Sequence, residues 1–502
     1  MKKISSKRLI SLTIVIILII ACTVISVFAE QIESGSDLEE QCLIWLSDKD
    51  AIPGEIVVCF SLEKDAETMY NALYNVCTKF YPDETKREIE DRITFNNEYN
   101  IQLINVEIED ELDILVYLNE SDEIYCATPN AYLYPDELDT YDPGTSSTPD
   151  QWHLDTIGVA EAWAMGFEGD SSTIVAVLDT GYTTHPEMYD NIDTSLAYNV
   201  YANTTSVGDV SGHGTHIEGI IGAALDGYGT NGICKNVTIV PIKITNDVNN
   251  TSSLYYMGLG VQRATNMGAK VINLSFSMST CNDTFKGYIS SFGNLFVTSA
   301  GNNSIDIESD SANAGKVNDE PLWIVVGSMT SAITKSGFSN YNESYVDLFA
   351  PGSNILSLDL SNGYTLQSGT SMAAPMVAAA IALIASHATH LSPAEIKEYI
   401  LDNCIQTNAF GNLCVSGGYL YLPSVIEQIY SENRGAYSRG DGNGDGYITS
   451  VDYAMCRRTV LGTYTPTPQQ AAALDINGNG VVDSTDYAKI SRYILRTFYF
   501  IP

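Results

Sequence analysis

The sequence predicts an α/β protein in which the largest region is a parallel β-sheet with helices on both faces. A small α+β region is predicted before it, and a small α-helical region built from a duplicated loop is predicted after it. Between residues 151 and about 430, apolar runs alternate with segments of helical spacing; the runs are Ile174–Leu178, Thr238–Ile244, Val271–Leu274, Leu295–Ser299 and Leu322–Val326. Continuous apolar runs of this kind are typical of strands buried on both faces of a parallel sheet.

Composition and charge exclude several classes of protein. The chain has 502 residues, enough for about three domains, and 45% of them are hydrophobic. Acidic residues outnumber basic ones 62 to 25, which gives a net charge of −37. Because such a chain repels phosphate backbones and anionic lipids, we expect no nucleic-acid partner and no membrane contact beyond the N-terminal segment.

Residues 1–29 have the pattern of an export signal. Four basic residues within the first eight precede an almost wholly apolar stretch, and Val27-Phe28-Ala29 offers small residues for cleavage. Two alternatives remain open, namely lipid attachment at Cys22 and an uncleaved membrane anchor. All three place the rest of the chain outside the cytoplasm, so the sequence predicts a secreted, extracellular protein.

Residues 30–142 form an acidic α+β region that holds 29 acidic and 6 basic residues. Glu55–Phe60 and Ile114–Leu118 are predicted strands, and 66–80 has the apolar spacing of a helix. The Pro-, Gly-, Ser- and Thr-rich stretch 141–150 has the composition of a linker.

Cysteine pairing is not decided by the sequence. Cys404 and Cys414 flank a turn-like segment and could form a local disulfide, but two buried thiols explain the pattern equally well. The chain contains no CxxC motif, so a zinc site has no support.

Three motifs in the α/β region carry an acid, a histidine and a serine. Asp179 ends an apolar run and is followed by Thr-Gly, and His213 lies in a Ser-Gly-His-Gly-Thr-His segment that opens a helix. Ser371 is predicted to begin an alanine-rich helix over 371–386, with Pro375 in its first turn. A nucleophilic serine needs a histidine base that is oriented by a buried acid. Strand ends and helix starts of an α/β sheet are where such groups converge.

In this order, at spacings of 34 and 158 residues, the motifs resemble those of the subtilisin-like serine proteases (subtilases) over roughly 151–405. The resemblance implies a peptidase domain over 143–430 that hydrolyses polypeptides as an endopeptidase. It also implies that Asp179 orients the imidazole of His213, that His213 is the general base and acid, and that Ser371 attacks the scissile carbonyl. A catalytically inactive relative that serves as a binding or structural subunit is the alternative.

The segment Thr298-Ser-Ala-Gly-Asn302 is similar to the oxyanion segment of the family. The resemblance makes Asn302 the side-chain donor to the oxyanion, beside the backbone N–H of Ser371. A turn residue is the alternative for Asn302, because Gly-Asn-Asn-Ser is a turn-like sequence.

Several residues differ from the family pattern, and two further histidines lie outside the predicted triad. Ser277 and Met278 stand where subtilases commonly carry a Gly-Gly pair, in the strand that pairs with the extended substrate. We therefore expect a reshaped or narrower cleft. Glu218 stands where the family usually has alanine, on a different helix face from the motif histidine, so we expect altered packing. His216 and His185 are expected to pack or hydrogen-bond and not to take part in catalysis.

The acidic region 30–142 resembles a subtilase propeptide by its position between signal and peptidase domain. The resemblance implies an intramolecular inhibitor whose C-terminal tail occupies the cleft until it is cut, between about Tyr134 and Pro149. A permanent accessory domain is the alternative.

After a linker at 431–440, residues 441–502 contain a duplicated loop that predicts two Ca²⁺ sites. Calcium takes oxygen ligands from loop positions 1, 3, 5, 7, 9 and 12, with glycine at position 6 for a sharp turn. Gly446 and Gly480 occupy position 6, and all six carboxylates of the segment fall on ligand positions. The predicted ligands are Asp441, Asn443, Asp445, Tyr447, Thr449 and Asp452, and then Asp475, Asn477, Asn479, Val481, Asp483 and Asp486.

Aspartate at position 12, and a helix only after each loop, make this segment similar to a type I dockerin. The resemblance implies a calcium-dependent cohesin partner on the scaffoldin of a cellulosome-type complex, which could attach the protein to a cell surface. The expected cohesin contacts are Ser450-Val451, Arg457-Arg458, Ser484-Thr485 and Ser491-Arg492, and Cys456 is expected to be a small buried hydrophobe. A calcium sensor is the alternative role, and further calcium sites in the peptidase domain are not placed.

Overall fold

The computed structural model describes residues 38, 42, 45–46, 51–60, 64–96, 100–121, 124–135, 151–224, 229–277, 283–307, 320–433, 439–443, 448, 450–476 and 480–494. The chain divides into two compact units, one up to Ala131 and one from Tyr132 onward. The predicted export signal at 1–29 lies outside the described residues, and so does the whole of the stretch 141–150 that is predicted as a linker.

The first unit is an antiparallel sheet with helices, as the α+β prediction requires. Its strands follow the order β4-β1-β3-β2 and are β1 (Ala51–Cys59), β2 (Ile93–Thr94), β3 (Ile101–Asn105) and β4 (Cys126–Pro135), the last of which continues into the second unit. Its helices are α1 (Ala66–Phe80), α2 (Lys86–Arg92) and α3 (Glu111–Asn119). Helix α1 begins where Asp65 accepts a hydrogen bond from the backbone N–H of Thr68. The predicted strand at 55–60 and helix at 66–80 are confirmed.

The prediction of a strand at Ile114–Leu118 is wrong, because this segment lies inside helix α3. A short apolar run has no periodicity that separates a strand from a buried helix. Here Ile114, Leu115 and Leu118 are buried together on one helix face. Acidic residues in the first turn also favour the helix.

The second unit contains a mostly parallel sheet with strand order β16-β17-β13-β12-β11-β9-β5-β7-β6. Its strands are β5 (Ile174–Asp179), β6 (Tyr198–Asn199), β7 (Thr238–Lys243), β9 (Val271–Leu274), β11 (Leu295–Ser299), β12 (Trp323–Met329), β13 (Leu348–Pro351), β16 (Ile405–Gln406) and β17 (Gly418–Tyr419). The five predicted runs fall on β5, β7, β9, β11 and β12. Shorter strands lie outside this sheet: β8 (Ser252–Ser253), β10 (Phe276–Ser277), and the hairpin of β14 (Ile355–Leu358) and β15 (Tyr364–Gln367).

Helices lie between many of the strands along the chain of the second unit. They are α4 (Trp152–Thr156), α5 (Val159–Ala164), α6 (His213–Gly222), α7 (Leu254–Asn266), α8 (Asp283–Phe292), α9 (Thr370–His387), α10 (Pro393–Asp402) and α11 (Leu422–Asn433). The last of these extends past the predicted domain boundary at residue 430. Cys404 and Cys414 are thiols in this unit, and burial raises the pKa of Cys404 to about 12. A thiol of that kind is chemically inert.

The alanine-rich helix α9 is the buried central helix that the sequence predicts. It is long and apolar enough to cross a bilayer, but most of it is buried in the hydrophobic core. Pro375 is not in its first turn, because the helix begins at Thr370 and the proline is an interior residue. Proline has no N–H for the carbonyl of Ser371 four residues earlier, and the hydroxyl of Ser275 donates to that carbonyl at 3.0 Å instead.

The C-terminal segment is helical. Its helices are α12 (Ser450–Val460), α13 (Pro468–Leu474) and α14 (Ser484–Ile494). They share a small core made of Cys456, Leu474, Ile476 and Ile490. The expectation that Cys456 is a small buried hydrophobe is confirmed, because its side chain is fully buried.

Candidate active site and calcium loops

The predicted acid and histidine meet where β5 ends and α6 begins. Asp179 is the last residue of β5, His213 is the first residue of α6, and both side chains are buried. The Nδ1–H of His213 donates to Asp179 Oδ1 at 2.7 Å. A Cβ added at Gly214 would lie 2.3 Å from the carbonyl oxygen of Gly181. Glycine at this position therefore allows the helix to approach the strand end closely enough for the contact.

Ser371 lies in the first turn of α9, which packs against α6. It is buried, and its Oγ donates to the carbonyl of Ser275 at 3.1 Å while the Ser275 hydroxyl donates to the Ser371 carbonyl. The helix N-terminus surrounds Ser371 with backbone N–H groups and the positive end of the helix dipole. These groups would stabilise negative charge that develops beside the serine.

Asn302 follows β11 and faces the start of α9. Its Oδ1 accepts hydrogen bonds from the backbone N–H and the hydroxyl of Thr370, both at 2.9 Å. Its Nδ2 is buried without a hydrogen-bond partner, and a Cβ added at Gly369 would lie 3.2 Å from it. The amide is therefore fixed through its oxygen and presents its N–H₂ as a donor beside the turn that carries Ser371.

Residues 132–135, at the end of β4, form a strand between β8 and β10 within the second unit. Tyr132 and Leu133 pair antiparallel with Ser253 and Ser252. Tyr134 and Pro135 pair antiparallel with Ser277 and Phe276. Leu133 is 1% exposed whereas Tyr132 is 41% exposed, so alternate side chains point toward and away from the protein. The chain direction carries this segment toward Ser275, the partner of Ser371.

The described part of the calcium loops has carboxylates suited to binding a cation. Asp452 and Asp486, at position 12 of each loop, are buried. Asp486 accepts from the backbone N–H groups of Ile476 and Asp483 at 2.9 and 2.8 Å, and Asp475 accepts from Gly480 N–H at 2.7 Å. These bonds close the second loop on itself, and Gly480 supplies the left-handed backbone at φ +85° that the turn requires.

Position 12 of the first loop is held in a similar way, because Asp452 accepts from Asn443 N–H at 3.2 Å. Predicted ligands Asp441, Val481 and Asp483 are also described. The remaining predicted ligands, Asp445, Tyr447, Thr449, Asn477 and Asn479, lie outside the described residues. The described residues alone contain no group of three or more His, Cys, Asp and Glu side chains placed to hold a metal. The buried carboxylates of Asp452 and Asp486 are oxygen donors of the type that Ca²⁺ takes.

Two family profiles match the chain and together cover most of it. Residues 170–444 match the subtilase family of peptidases, and residues 439–495 match the type I dockerin domain. The chain belongs to the subtilase family of serine proteases. It carries a type I dockerin domain at its C-terminal end.

Known relatives agree with this assignment. The subtilase is 31% identical over 344 residues to a thermophilic serine proteinase of Bacillus sp. strain AK1, covering 67% of this chain and 78% of that protein. It is 28% identical over 272 residues to the minor extracellular protease Epr of Bacillus subtilis, covering 53% of this chain and 40% of that protein. Fervidolysin from Fervidobacterium pennivorans, a keratinolytic enzyme related to subtilisin, shares the fold with a TM-score of 0.61 and 22% identity. That similarity covers 76% of this chain and 62% of fervidolysin.

The structure describes only some of the residues that differ from the family pattern or lie outside the triad. The backbone of Ser277 pairs in β10, and Met278 lies outside the described residues, so the expected effect on cleft shape stays a prediction. His216 Nε2 contacts the carbonyls of Ile355 and Thr365, and burial lowers its pKa to about 3. A histidine held in this way packs and hydrogen-bonds, as expected for a non-catalytic residue.

The motifs did not single out Ser275, although its hydroxyl and carbonyl both contact Ser371. A signal for it is present in the sequence, because a proline four residues after the serine requires a substitute donor for the Ser371 carbonyl. Which residue supplies that donor is visible only in the fold.

Glu218 is a buried carboxyl that a subtilase helix does not usually carry here. The side chain is fully buried, and neither carboxyl oxygen has a hydrogen-bond partner. Burial raises the pKa of Glu218 well above its ordinary value, and the negative charges of Asp209 and Asp179 add to the shift. Burial therefore favours the protonated form of Glu218, and its side chain differs from alanine in packing volume and in its capacity to ionise.

We expect Glu218→Gln to remove a loss of stability at high pH. The pKa of Glu218 in the folded protein lies above the unfolded value near 4.3. The stability of the folded protein with protonated Glu218 is therefore fully present below the unfolded pKa and is lost as pH rises through the folded pKa. Between the unfolded and the folded pKa, the free energy of unfolding of the wild-type protein should fall by about 1.4 kcal/mol per pH unit relative to that of the glutamine variant. The measurement is Tm from pH 5 to pH 10 in a Ser371→Ala background.

Glu395→Gln is the matched control for this experiment. Glu395 is an exposed capping residue, and the backbone N–H of Ser392 lowers its pKa, so its effect should be constant above pH 5. If the Tm difference between the Glu218→Gln variant and the wild type is the same at every pH, the raised pKa of Glu218 is contradicted.

Proposed function

We propose that this subtilase is an active serine endopeptidase that uses Asp179, His213 and Ser371. The observation that carries the proposal is the 2.7 Å contact between buried Asp179 and His213, at the start of the helix that packs against the Ser371 helix. Asp179 fixes the imidazole through Nδ1, which leaves Nε2 for proton transfer. His213 removes the proton of Ser371 as the hydroxyl attacks the scissile carbonyl, and then donates it to the leaving amine.

Asn302 is proposed as an oxyanion donor because its Nδ2 is a buried donor whose orientation Thr370 fixes. A preorganised donor of this kind acts on the charge that develops in the transition state. We expect Asn302→Ala to lower kcat about 10²- to 10³-fold with little change in KM. Steady-state kinetics on a peptide substrate measures this, and an effect confined to KM would contradict the oxyanion role.

The rival function is a catalytically inactive subtilase that acts as a binding or structural subunit. Hydrolysis of an unfolded protein substrate separates the two. We expect activity that a sulfonyl fluoride abolishes and iodoacetamide does not affect, since the described cysteines are buried. A matured protein without any activity on such a substrate would favour the rival.

We further propose that the enzyme is exported as a zymogen in which residues 30–142 are an inhibitory propeptide. The supporting observation is the antiparallel pairing of residues 132–135 with β8 and β10. A peptide held in this way enters as an extra strand, and the burial of alternate side chains supplies specificity. Because Ser275 contacts Ser371, the bond that is cut should lie shortly after Pro135, within the expected interval of 134–149.

We expect purified 30–142 to inhibit the mature enzyme in trans at micromolar concentration. Leu133→Asp should weaken the inhibition at least about tenfold, because it places a charge at a buried position. Tyr132→Asp, at an exposed position on the same strand, is the matched control and should inhibit nearly as well. Inhibition constants from progress curves measure both, and no inhibition by the wild-type segment would favour a permanent accessory domain.

The dockerin domain is proposed to bind two Ca²⁺ ions and to anchor the secreted enzyme to a cohesin on a scaffoldin. Its support is the family match together with the buried position-12 carboxylates Asp452 and Asp486. When bound, Ca²⁺ would neutralise these carboxylates and crosslink each loop to the helix that follows it.

A further inference from the structure

We infer that Asp209 is a positioning residue that holds the Asp179–His213 pair in its reactive geometry. The inference rests on the proposed peptidase activity. Asp209 lies outside the three sequence motifs, in the loop before α6, and its carboxylate is buried. A buried carboxylate is costly unless charge-assisted hydrogen bonds satisfy it.

Both oxygens of the Asp209 carboxylate accept more than one hydrogen bond. Oδ1 accepts from Thr180 Oγ1 at 2.9 Å and from the backbone N–H groups of Ser211 and Gly212 at 2.9 and 3.0 Å. Oδ2 accepts from the backbone N–H of Thr215 at 3.0 Å and from its hydroxyl at 2.8 Å. One side chain therefore satisfies three backbone donors at the start of the helix that carries His213, where no intrahelical acceptor exists.

These hydrogen bonds join the helix to the strand end that carries Asp179. Thr180 follows Asp179 directly, and its hydroxyl donates to Asp209 while accepting from Gly214 N–H at 2.9 Å. Thr215, bound by the other carboxylate oxygen, accepts from Thr183 N–H at 3.1 Å. Asp209 therefore fixes the spacing between the residue after the acid and the residues on either side of the histidine.

A buried cation holds the same strand end from the other side. Lys243 pairs in register with Asp179 in the sheet, and its Nζ donates to the carbonyls of Thr180 and Gly208. The carbonyl of Thr180 is thus held by Lys243 and its hydroxyl by Asp209. Since catalytic groups must be held within a fraction of an ångström, loss of Asp209 should reduce turnover while leaving the substrate cleft at β8 and β10 intact.

The test compares Asp209→Asn with Asp347→Asn in the full-length, matured enzyme at a temperature where both are folded. Asp347 is a buried carboxylate elsewhere that accepts from Val325 N–H and pairs with Lys397, so it controls for lost stability. We expect Asp209→Asn to lower kcat about 10- to 100-fold and to change KM less than about threefold. The reason is that the amide Nδ2 of the new asparagine is a donor and would face the N–H and hydroxyl donors of Thr215. Asp347→Asn should lower Tm and leave kcat unchanged.

Thr180→Val and Thr215→Val keep the inference testable if Asp209→Asn does not fold. Each removes one hydroxyl partner of the carboxylate, and each should lower kcat at least about threefold without a matching change in KM. A wild-type enzyme without activity would overturn the proposed function. If the wild type is active and Asp209→Asn keeps the wild-type kcat, the inference about Asp209 is overturned but the proposed function is not. The same holds if Asp209→Asn is unfolded and both threonine variants keep the wild-type kcat.

Discussion

Replacing Ser371 with alanine should abolish hydrolysis and leave the precursor uncut. The serine supplies the nucleophile for both the substrate and the propeptide junction, so self-processing and activity on added substrate should fail together. The expected loss in kcat is on the order of 10⁶-fold, leaving only the residual rate that binding and the oxyanion donors provide. Mass spectrometry of the secreted chain and hydrolysis of an unfolded protein substrate measure the two effects.

Ser386→Ala is the matched control for this prediction. Ser386 is a serine in the same helix, α9, whose hydroxyl contacts the carbonyl of Ala382 and the hydroxyl of Thr173 and none of the proposed catalytic residues. It should process its precursor and hydrolyse substrate at close to the wild-type rate. Normal processing of the Ser371→Ala precursor at low enzyme concentration would contradict self-cleavage, and retained hydrolysis would contradict the nucleophile.

Removing Ca²⁺ should unfold the dockerin domain and abolish cohesin binding. The core shared by α12, α13 and α14 is small, and a core of this size supplies only a few kcal/mol, so metal binding should contribute a decisive share of the folding free energy. Without the ion, the carboxylates gathered in each loop repel one another. Hydrogen exchange over residues 441–494 of the Ser371→Ala precursor, with Ca²⁺ and with EGTA, measures the folding.

Binding to a panel of cohesins completes this experiment. The Asp441→Ala, Asp475→Ala double variant should behave in Ca²⁺ as the wild-type chain does in EGTA, whereas each single variant should lose less. Protection that EGTA does not change would refute the calcium sites. Calcium-dependent folding without binding to any cohesin would refute only the docking role.

The parts of the fold and site that depend on local sequence were predictable. Asp179, His213 and Ser371 each lie in a short motif at a strand end or helix start, and parallel sheets bring those ends together. The five central strands were predictable because their runs are apolar throughout. The dockerin domain was predictable because the register of its duplicated loop repeats.

The parts that depend on partners distant in sequence were not predictable. Ser275 and Ser371 are 96 residues apart, and Asp209 and Thr180 are 29 apart, so no local pattern connects them. The apolar run Ile114–Leu118 wrongly predicts a strand, because it is too short for a helical period to stand out. The burial of Glu218 on every side follows from what packs around α6, and the sequence of that helix does not contain this information.

The proposed chemistry requires that Ser371 is a nucleophile activated by His213. The measurement that tests it most directly is mass-spectrometric mapping of the adduct formed by a fluorophosphonate on the matured enzyme, for the wild type and for His213→Ala produced by supplying active enzyme to cut its precursor. We expect a single adduct on Ser371 in the wild type and almost none in His213→Ala. An adduct on another residue, or equal labelling of Ser371 in both proteins, would contradict it.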